Sequence, residues 1–294
     1  YVKKRIIKEN TISEGTMIDF ACGKLGDLNH WLDANLSTCV GIDVNYDNLE
    51  NIENGACNRV LSKHVTDTHA LLDNTLLICG DSGENMLTPS FPNDDLNRFY
   101  TDIVMGEVDE FDIKNSKLRR FYGMGKTGFD TSSIQFSLHY FFKSERNLDN
   151  YLNNVSRTLK QGGKFVGTCL DGNKVFSRLS DTNNISSFEK DTLLWKITKK
   201  YESSVFPNDS SSLGMKIDVY VESIGNTTEE YLVNMNYLVE KCKEFGLELV
   251  EIQSFETLND SLMKSKTKYG SSEGMNAGMR EYSFLNNYFV FEKI

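Results

Sequence analysis

Short apolar runs alternate with helix-patterned stretches along the first 170 residues, and this alternation constrains the fold more than any other feature. The strand-like runs are residues 17–20, 39–44, 76–79, 134–138 and 164–168. Helical patterns lie between them, at 27–35, 47–63 and 144–160. Strands that alternate with helices in this way form βαβ units and a parallel sheet. The sequence therefore predicts an α/β fold with a doubly wound, mostly parallel sheet.

The rest of the chain predicts additions to that sheet, among them antiparallel strands. The expected additions are a basic helix over 1–12, an insertion with one helix over 88–128, a second insertion over 172–220 with antiparallel strands, a helix over 229–245, and strands at 247–252 and 288–291. The 294 residues suit one large domain, since a single core stops growing near ~250–300 residues. The chain lacks an initiator Met and a signal-peptide core, so we interpret it as a piece of a longer protein.

The charge balance is acidic, with 32 basic against 42 acidic side chains and a net charge of −10. A protein that binds long nucleic acid non-specifically usually has the opposite sign, because neutralised phosphates supply its affinity. If the chain handles RNA, we expect it to bind a small terminal feature. Mean hydropathy is −0.41, and no apolar run approaches the ~18 residues that a membrane span needs. We therefore expect no membrane partner.

Six cysteines lie at positions 22, 39, 57, 79, 169 and 242, and no two of them are spaced as Cys-x-x-Cys. Several lie inside apolar runs, where a free cysteine behaves as a small hydrophobic residue. The sequence therefore predicts neither a disulfide framework nor a zinc site. It indicates a reducing, cytoplasmic setting.

A glycine-bearing loop follows the first strand. Ala21, Gly23 and Gly26 have a spacing like Gly-x-Gly-x-x-Gly, and such small residues let the backbone turn sharply and approach a ligand. A plain strand-to-helix turn would show the same pattern. Asp43, however, ends the second strand, where an acid can accept both hydroxyls of an adenosine ribose. Together these features predict a nucleotide or nucleoside site.

Two carboxylates flank this loop. Asp27 would stand at the N-terminus of the following helix, where a dinucleotide places its pyrophosphate, and Asp19 directly precedes the loop. Two negative charges repel a pyrophosphate but suit a ligand that carries an ammonium and a sulfonium. The sequence therefore favours S-adenosylmethionine over NAD.

Together with this loop, six further runs resemble mRNA cap guanine-N7 methyltransferases. In order, the seven runs are IDFACGKLGDL at 18–28, GID at 41–43, DS at 81–82, IQFSLHY at 134–140, GGKFVGT at 162–168, EYLV at 230–233 and FEK at 291–293. The run at 134–140 is the most specific, because other methyltransferases lack it. The resemblance covers nearly the whole chain outside 88–128 and 172–220. It is strongest to the C-terminal methyltransferase domain of multifunctional capping enzymes of large cytoplasmic DNA viruses.

The resemblance implies a Rossmann-like class I methyltransferase that spans residues 1–294. It would transfer a methyl group from S-adenosylmethionine to N7 of the terminal guanosine of GpppN-capped RNA, leaving S-adenosylhomocysteine. No metal and no general base are expected, because guanine N7 already carries a lone pair. The implied partners are the 5′-capped RNA end and, in the same parent chain, triphosphatase and guanylyltransferase domains. The implied location is the cytoplasm, with the virion left open as a second one.

The family's cofactor contacts fall mostly at strand ends. Lys3 would bind the carboxylate of S-adenosylmethionine, Asp43 the ribose, and Asp81 with Ser82 the adenine. The full set expected at the cofactor is Lys3, Asp19, Ala21, Gly23, Asp27, Asp43, Asp81, Ser82 and Gln135. Ala21 stands where the family has glycine, which costs little if its backbone torsions are ordinary. Without the resemblance, Lys3 would be a solvated lysine and Asp81 a helix cap.

The acceptor side needs different groups. Glu230 matches the family's guanine-binding acid, since one carboxylate can accept the ring N–H and the exocyclic amine together. His139 and Tyr140 would pack on the base and bond its carbonyl edge, so that these three residues position the acceptor without acid–base chemistry. Two structural alternatives stay open: Glu230 as a carboxylate at a helix N-terminus, paired with the helix dipole, and His139 as a satisfied structural residue.

Two cations are candidates for the triphosphate bridge. Lys24 lies in the first loop, and Arg59 lies four residues after Gly55, where the family has an arginine. The family's late tyrosine falls at Asn286, with Phe284 and Tyr288 on either side. Two other functions remain open: methylation of a small molecule or protein, and a methyltransferase-like scaffold without catalysis. A dehydrogenase would explain only the loop and Asp43.

Overall fold

The computed structural model describes residues 2–92, 94–259 and 275–294. In chain order, its strands are β1 (Thr16–Phe20), β2 (Thr38–Asp43), β3 (Thr75–Cys79), β4 (Phe129–Gln135), β5 (Leu159–Leu170), β6 (Asn184–Glu189), β7 (Thr192–Lys199), β8 (Lys216–Val221), β9 (Thr227–Tyr231), β10 (Leu247–Ser254) and β11 (Asn286–Lys293). Seven of them form one sheet in the order β10-β11-β5-β4-β1-β2-β3, and β6 to β9 form a second sheet.

Helices connect these strands. In chain order they are α1 (Val2–Glu9), α2 (Leu28–Asp33), α3 (Tyr46–Glu50), α4 (Ala56–His64), α5 (Asp95–Met105), α6 (Ser116–Arg119), α7 (Met124–Thr127), α8 (Glu145–Thr158), α9 (Gly172–Arg178), α10 (Met235–Glu244) and α11 (Ala277–Phe284). Short 3-10 segments lie at Ala70–Leu72, Glu110–Asp112, Leu138–Lys143 and Ser210–Ser212. Within the described ranges, no helix is both long and apolar enough to span a bilayer.

The main sheet is mostly parallel, as predicted. Five strands, β3, β2, β1, β4 and β5, are parallel to one another. β11 is antiparallel to both β5 and β10. Alternate residues of β1 enter two different cores: Ile18 and Phe20 pack with Tyr151 of α8, and Met17 packs with Trp31 of α2. Helices thus cover both faces, and the chain order switches direction between β1 and β4. Ligand sites of such sheets lie at this switch, beyond the carboxyl ends of the strands.

The second sheet lies between β5 and α10 in the chain and is antiparallel throughout. Its inner face has its own core, built around Trp195, Ile197 and Ile217. α11 packs against β6 and β7, and the Trp195 indole N–H donates to the Gly278 carbonyl at 2.7 Å. The antiparallel strands expected within 172–220 are present as β6, β7 and β8, and the sheet also includes β9, which lies beyond that range.

Three expected helices differ from the structure. The helix expected over 47–63 is broken into α3 and α4, because the Asn51 side chain accepts hydrogen bonds from the backbone N–H groups of Glu53 and Asn54. The helix expected over 229–245 begins only at Met235, where Asn234 caps it by accepting from the Tyr237 N–H. The insertion expected to have one helix contains α5, α6 and α7.

The strand expected at 134–138 also differs. β4 begins at Phe129 and ends at Gln135, because Phe136 has φ 57° and turns the chain out of the strand. Residues Leu138–Lys143 then form a 3-10 turn, so His139 and Tyr140 lie on this turn beyond the strand end.

Candidate active site

A buried group of charges lies where β1 ends. Asp19 is 3% exposed, and its Oδ1 accepts no hydrogen bond from any residue that the structure describes. Burial, followed by the nearby charge of Asp27, raises the pKa of Asp19 to about 8. The Lys3 ammonium lies 2.7 Å from Asp27 Oδ1. The expected residues Asp19, Asp27 and Lys3 are therefore brought together, with a carboxylate oxygen that lacks a partner.

Phe136 completes this group and was not predicted. Its ring centre lies 5.6 Å from the Lys3 ammonium, at a separation typical of a cation–π contact. A left-handed backbone at a bulky residue is uncommon and costs of order 1–3 kcal/mol. The sequence offered one signal, since Phe136 belongs to the specific run at 134–140. The strained turn holds an aromatic ring beside the cation that is expected at the cofactor.

Asp43 ends β2 and fixes the loop after β1. One carboxylate oxygen accepts from the Gly23 backbone N–H at 2.8 Å, and the other accepts from the Asn45 N–H and the Asn48 amide at 2.9 and 3.0 Å. A carboxylate has about four acceptor sites, so three are already used. One hydrogen bond to a ribose hydroxyl can be added here without rearrangement, whereas the sequence suggested two.

The loop itself is strained at the residue that departs from the family. Ala21 has φ 56°, a left-handed torsion that favours glycine. The condition under which this alanine would cost little, ordinary backbone torsions, is therefore not met. Gly23 has φ 56° as well, and a Cβ placed there would meet no heavy atom within 4 Å. Open space thus lies over the loop beside Asp43.

The remaining cofactor candidates lie at the ends of β3 and β4, on the same edge of the sheet. Asp81 Oδ1 accepts from the Gly83 N–H at 2.8 Å, so Asp81 stabilises a turn and caps no helix. The Ser82 side chain is buried. The Gln135 amide bridges two strands, since its oxygen accepts from Thr168 at 3.1 Å and its nitrogen donates to Ser133 at 3.2 Å.

A second buried pair lies between the turn after β4 and the small sheet. His139 Nδ1 is 3.4 Å from Glu230 Oε2, and the Tyr140 ring centre is 4.1 Å from that of His139. Burial lowers the pKa of His139 to about 3. Burial also raises the pKa of Glu230 to about 7, against the opposing hydrogen bond from Thr228. The imidazole is therefore neutral at pH 7, and the contact is not an ion pair.

Glu230 lies in the middle of a strand, paired with Ile217 of β8. The alternative of a carboxylate at a helix N-terminus is therefore wrong, because α10 begins five residues later. The Thr228 hydroxyl donates to Glu230 Oε1 at 3.1 Å. His139 Nε2 has no hydrogen-bond partner within the described part of the chain, so the alternative of a satisfied structural histidine also fails. Both side chains keep capacity for a polar ligand.

Tyr282 is a third aromatic beside this pair. Burial and then the Glu230 charge raise the pKa of its hydroxyl, and its ring lies 5.7 Å from that of Trp195. Asn286 is buried and donates to the Tyr282 and Ser283 carbonyls at the end of α11. Tyr288 bonds Glu251 and Gln253 inside the sheet. Counting back from 291–293 pointed to Asn286, whereas the tyrosine whose hydroxyl is affected by the Glu230 charge is Tyr282, on α11.

The two candidates for the triphosphate lie beyond the loop. Lys24 donates to Asn54 Oδ1 at 2.5 Å and lies 3.7 Å from Asp47 Oδ2. Arg59 is exposed on α4, and its side chain makes no hydrogen bond or ion pair with the residues that the structure describes. The two cations do not contact each other.

Comparisons with known proteins show what the chain is similar to. A model of the mRNA (guanine-N(7))-methyltransferase domain matches residues 1–284. A "Probable mRNA-capping enzyme" of Acanthamoeba polyphaga mimivirus is 27% identical over 290 residues, which cover 93% of this chain and 23% of that protein. "mRNA cap guanine-N(7) methyltransferase 1" of Arabidopsis thaliana is 25% identical over 268 residues, which cover 90% of this chain and 61% of that protein. The chain thus spans less than two thirds of either relative.

A solved structure shows the same fold. An S-adenosylmethionine-dependent methyltransferase from Clostridium acetobutylicum superposes with a TM-score of 0.51 at 14% identity, over 99% of this chain and 88% of that one. The fold is therefore that of the class I methyltransferases, as the resemblance implied, and its mostly parallel sheet is the one that the alternation of strands and helices predicted.

Proposed function

The chain belongs to the mRNA (guanine-N(7))-methyltransferase family, and from that premise we propose that it methylates N7 of the terminal guanosine of GpppN-capped RNA. One observation carries the proposal beyond the family match. The carboxylate of Glu230 is buried beside a neutral His139, the His139 ring centre lies 4.1 Å from that of Tyr140, and the Glu230 charge acts on the Tyr282 hydroxyl. A buried acceptor in an aromatic surrounding fits a planar base that presents two adjacent N–H donors.

The residues at the other strand ends fit S-adenosylmethionine. The partnerless oxygen of Asp19 suits a cationic ligand, and the space over Gly23 leaves room for one. We assign Lys3 to its carboxylate, Asp43 to its ribose, and Asp81 with Ser82 to its adenine, with Gln135 lining the site. When bound, S-adenosylmethionine supplies an electrophilic methyl group on a positively charged sulfonium. S-adenosylhomocysteine is the product.

The chain's own residues then act by positioning and by charge. Glu230, as a carboxylate, accepts the ring N–H and the exocyclic amine of guanine and fixes the plane of the base. His139 stays neutral and offers a hydrogen bond to the carbonyl edge, and Tyr140 with Tyr282 packs on the ring. These contacts hold guanine N7 in line with the methyl carbon and the sulfur of S-adenosylmethionine. Methyl transfer then proceeds between two bound groups and needs no bimolecular encounter. Glu230, as a carboxylate, also has the sign that stabilises a positive charge moving toward the base, and Asp19 has that sign once a bound cation favours its charged form.

We place this activity in the cytoplasm, within a longer viral capping protein that also contains triphosphatase and guanylyltransferase domains. The support is the relative from mimivirus, which is named as a capping enzyme and of which this chain covers 23%. Lys24 would then meet the triphosphate of the cap that the other domains have built.

The test is methyl transfer from labelled S-adenosylmethionine to GpppA-capped RNA. Nuclease digestion should release labelled m7GpppA, whereas RNA with a 5′-triphosphate or an m7GpppA cap should take up no label. Label that appears only on added protein or small amines would instead support the alternative substrates. Binding of S-adenosylhomocysteine, measured by calorimetry, without transfer to any substrate would support a scaffold.

A further inference from the structure

A cavity of about 420 Å³ lies between the cofactor loop and α4. This volume falls in the range of ligand pockets, ~300–1,000 Å³. Three segments form its walls: Leu25 to Asn29 on one side, Glu53 and Asn54 at the link between α3 and α4, and one face of α4 on the other side. Its apolar members Leu25 and Leu28 are buried, and the larger part of its accessible lining is polar.

One face of α4 supplies most of that lining. Asn58, Arg59, Ser62 and Lys63 have the i, i+1, i+4, i+5 spacing of neighbours on a helix surface. Arg59 makes no hydrogen bond or ion pair with any residue in the described ranges, and Lys63 has only a 3.6 Å contact with Asp67. A guanidinium is the side chain best suited to phosphate oxygens. In a chain with a net charge of −10, two cations beside amide and hydroxyl groups mark a site for an anionic polar ligand.

The cavity adjoins the cofactor site through a single loop. The Gly23 N–H bonds Asp43 on the cofactor side, whereas Leu25 and Gly26 line the cavity. Lys24 lies between the two and reaches across to Asn54, which is itself a wall of the cavity. A ligand that passes from the cofactor site over Lys24 therefore enters the cavity next.

We propose that this cavity binds the first nucleotides of the RNA that follow the cap. Arg59, which the resemblance assigned to the cap triphosphate, here contacts a phosphate of the RNA chain that follows, as does Lys63. Asn58 and Ser62 contact the sugars or bases of that chain. The inference rests on the proposed function, because it takes the cap triphosphate to lie at Lys24. It adds a second contact region, which makes capped RNA a better substrate than the isolated cap dinucleotide.

The test compares two substrates, GpppA and a GpppA-capped RNA of ten nucleotides, with Lys63→Glu as the variant. Wild-type kcat/KM should be higher for the capped RNA. Lys63→Glu should lower kcat/KM for the capped RNA by about five- to tenfold, because the variant loses one phosphate contact and its new carboxylate repels that phosphate. It should change kcat/KM for GpppA by less than about twofold. The dependence of log KM on log salt should also become shallower by ~0.7 for each phosphate released. Lys126→Glu, an exposed lysine on α7, makes the same change in net charge and should leave both substrates unaffected.

Two results would overturn the inference: equal kcat/KM of the wild type for both substrates, or a loss in Lys63→Glu that is the same for both. Either result leaves the proposed function standing if GpppA is methylated. If neither substrate is methylated, the proposed function fails, and fluorescence anisotropy with the labelled capped RNA still tests the cavity. In that assay Lys63→Glu should bind about five- to tenfold more weakly than Lys126→Glu, and equal affinities would overturn the inference.

Discussion

The cofactor end of the main sheet and the acceptor wall on the small sheet are built in different ways. At the cofactor end, Asp19, Asp43 and Asp81 each lie at or just after the end of a parallel strand. The acceptor wall joins the turn after β4, strand β9 and helix α11, which are separated by long stretches of chain. Parallel pairing alone places the carboxyl ends of neighbouring strands at one edge of the sheet. The acceptor wall, in contrast, depends on the pairing of β8 with β9 and on the docking of α11.

The two regions also differ in how they hold charge. Asp43 and Asp27 are paired with N–H groups or with Lys3. Glu230, in contrast, accepts one hydrogen bond from the Thr228 hydroxyl and lies beside the neutral imidazole of His139. A buried carboxyl group with few hydrogen-bond donors is a group whose pKa a bound substrate can shift. If this division is correct, variants of the two regions should damage different steps.

The largest effect is expected at the acceptor wall, for Glu230→Gln. The amide keeps the shape but replaces an acceptor with a donor, which leaves a mismatched polar contact in a desolvated pocket. This costs on the order of 2–4 kcal/mol, or about thirty- to thousand-fold in kcat/KM for GpppA-capped RNA. The affinity for S-adenosylmethionine, measured by calorimetry, should stay near that of the wild type.

Glu229→Gln is the matched control. Glu229 is the neighbour on β9 that is exposed and pairs with Lys216 at 2.6 Å, so its kcat/KM should change by less than about twofold. Inosine in place of the cap guanosine deletes the exocyclic amine and should reproduce part of the Glu230→Gln loss. The two losses should overlap when combined, since they remove one contact from opposite sides. Simple addition of the two defects would remove Glu230 from the guanine site.

The next effect belongs to the cofactor end. Asp43→Ala removes the anchor of the Gly23 N–H and the expected ribose acceptor. It should weaken S-adenosylmethionine binding by roughly 1.5–3 kcal/mol, or about ten- to 150-fold. Asp47→Ala, an exposed acid nearby, should change the affinity by less than about twofold. Stabilisation of the wild type by NAD but not by S-adenosylhomocysteine in a melting assay would contradict the assignment of this end altogether.

A smaller effect that distinguishes the two regions is expected in the dependence of kcat/KM on pH. Glu230 has a pKa of about 7 in the free protein, so its carboxylate predominates above that value and its neutral acid below it. Only the carboxylate accepts both guanine donors. Asp19, which has a pKa of about 8 in the free protein, is held in its charged form when the positively charged S-adenosylmethionine is bound. At saturating S-adenosylmethionine, kcat/KM for capped RNA should therefore fall about tenfold between pH 8 and pH 6. His139, with a pKa near 3, stays neutral throughout. The profile of Glu230→Gln should be flat over this range, and an unchanged slope in that variant would assign the titration to another group.

The sequence predicted the strands at the proposed cofactor end well because they are defined by local periodicity. It placed β1, β2 and β3 within one or two residues. It failed where a hydrogen bond between distant segments decides the structure. The stretch after Asn226 looks helical by itself, but pairing with β8 makes residues 227–231 a strand. Tyr282 was missed for a related reason, since only the docking of α11 on the small sheet brings it near Glu230.

The loop at the cofactor end shows a limit of a different kind. The resemblance implied that Ala21 stands where the family has glycine, but no sequence pattern specifies the torsion of one residue. Its φ of 56° depends on how Cys22 and Gly23 bond to β2, through the Ile42 carbonyl and the Asp43 carboxylate. Only the structure therefore shows that the alanine is strained.

The smallest effect, Ala21→Gly, measures that strain directly. An L-residue in the left-handed region costs roughly 1–2 kcal/mol, whereas glycine costs about 0.5–1 kcal/mol through the freedom it gives the unfolded chain. The variant should therefore be more stable by about 0.5–1 kcal/mol in urea unfolding. Ala70→Gly is the control, because Ala70 is exposed and has no positive φ. That change adds the same freedom to the unfolded chain without relieving strain, so it should destabilise by about 0.5–1 kcal/mol. Opposite signs for the two substitutions would locate the strain in the cofactor loop. If both destabilise equally, the backbone at Ala21 is ordinary, and the loop that joins the cofactor site to the cavity beside α4 has a different shape.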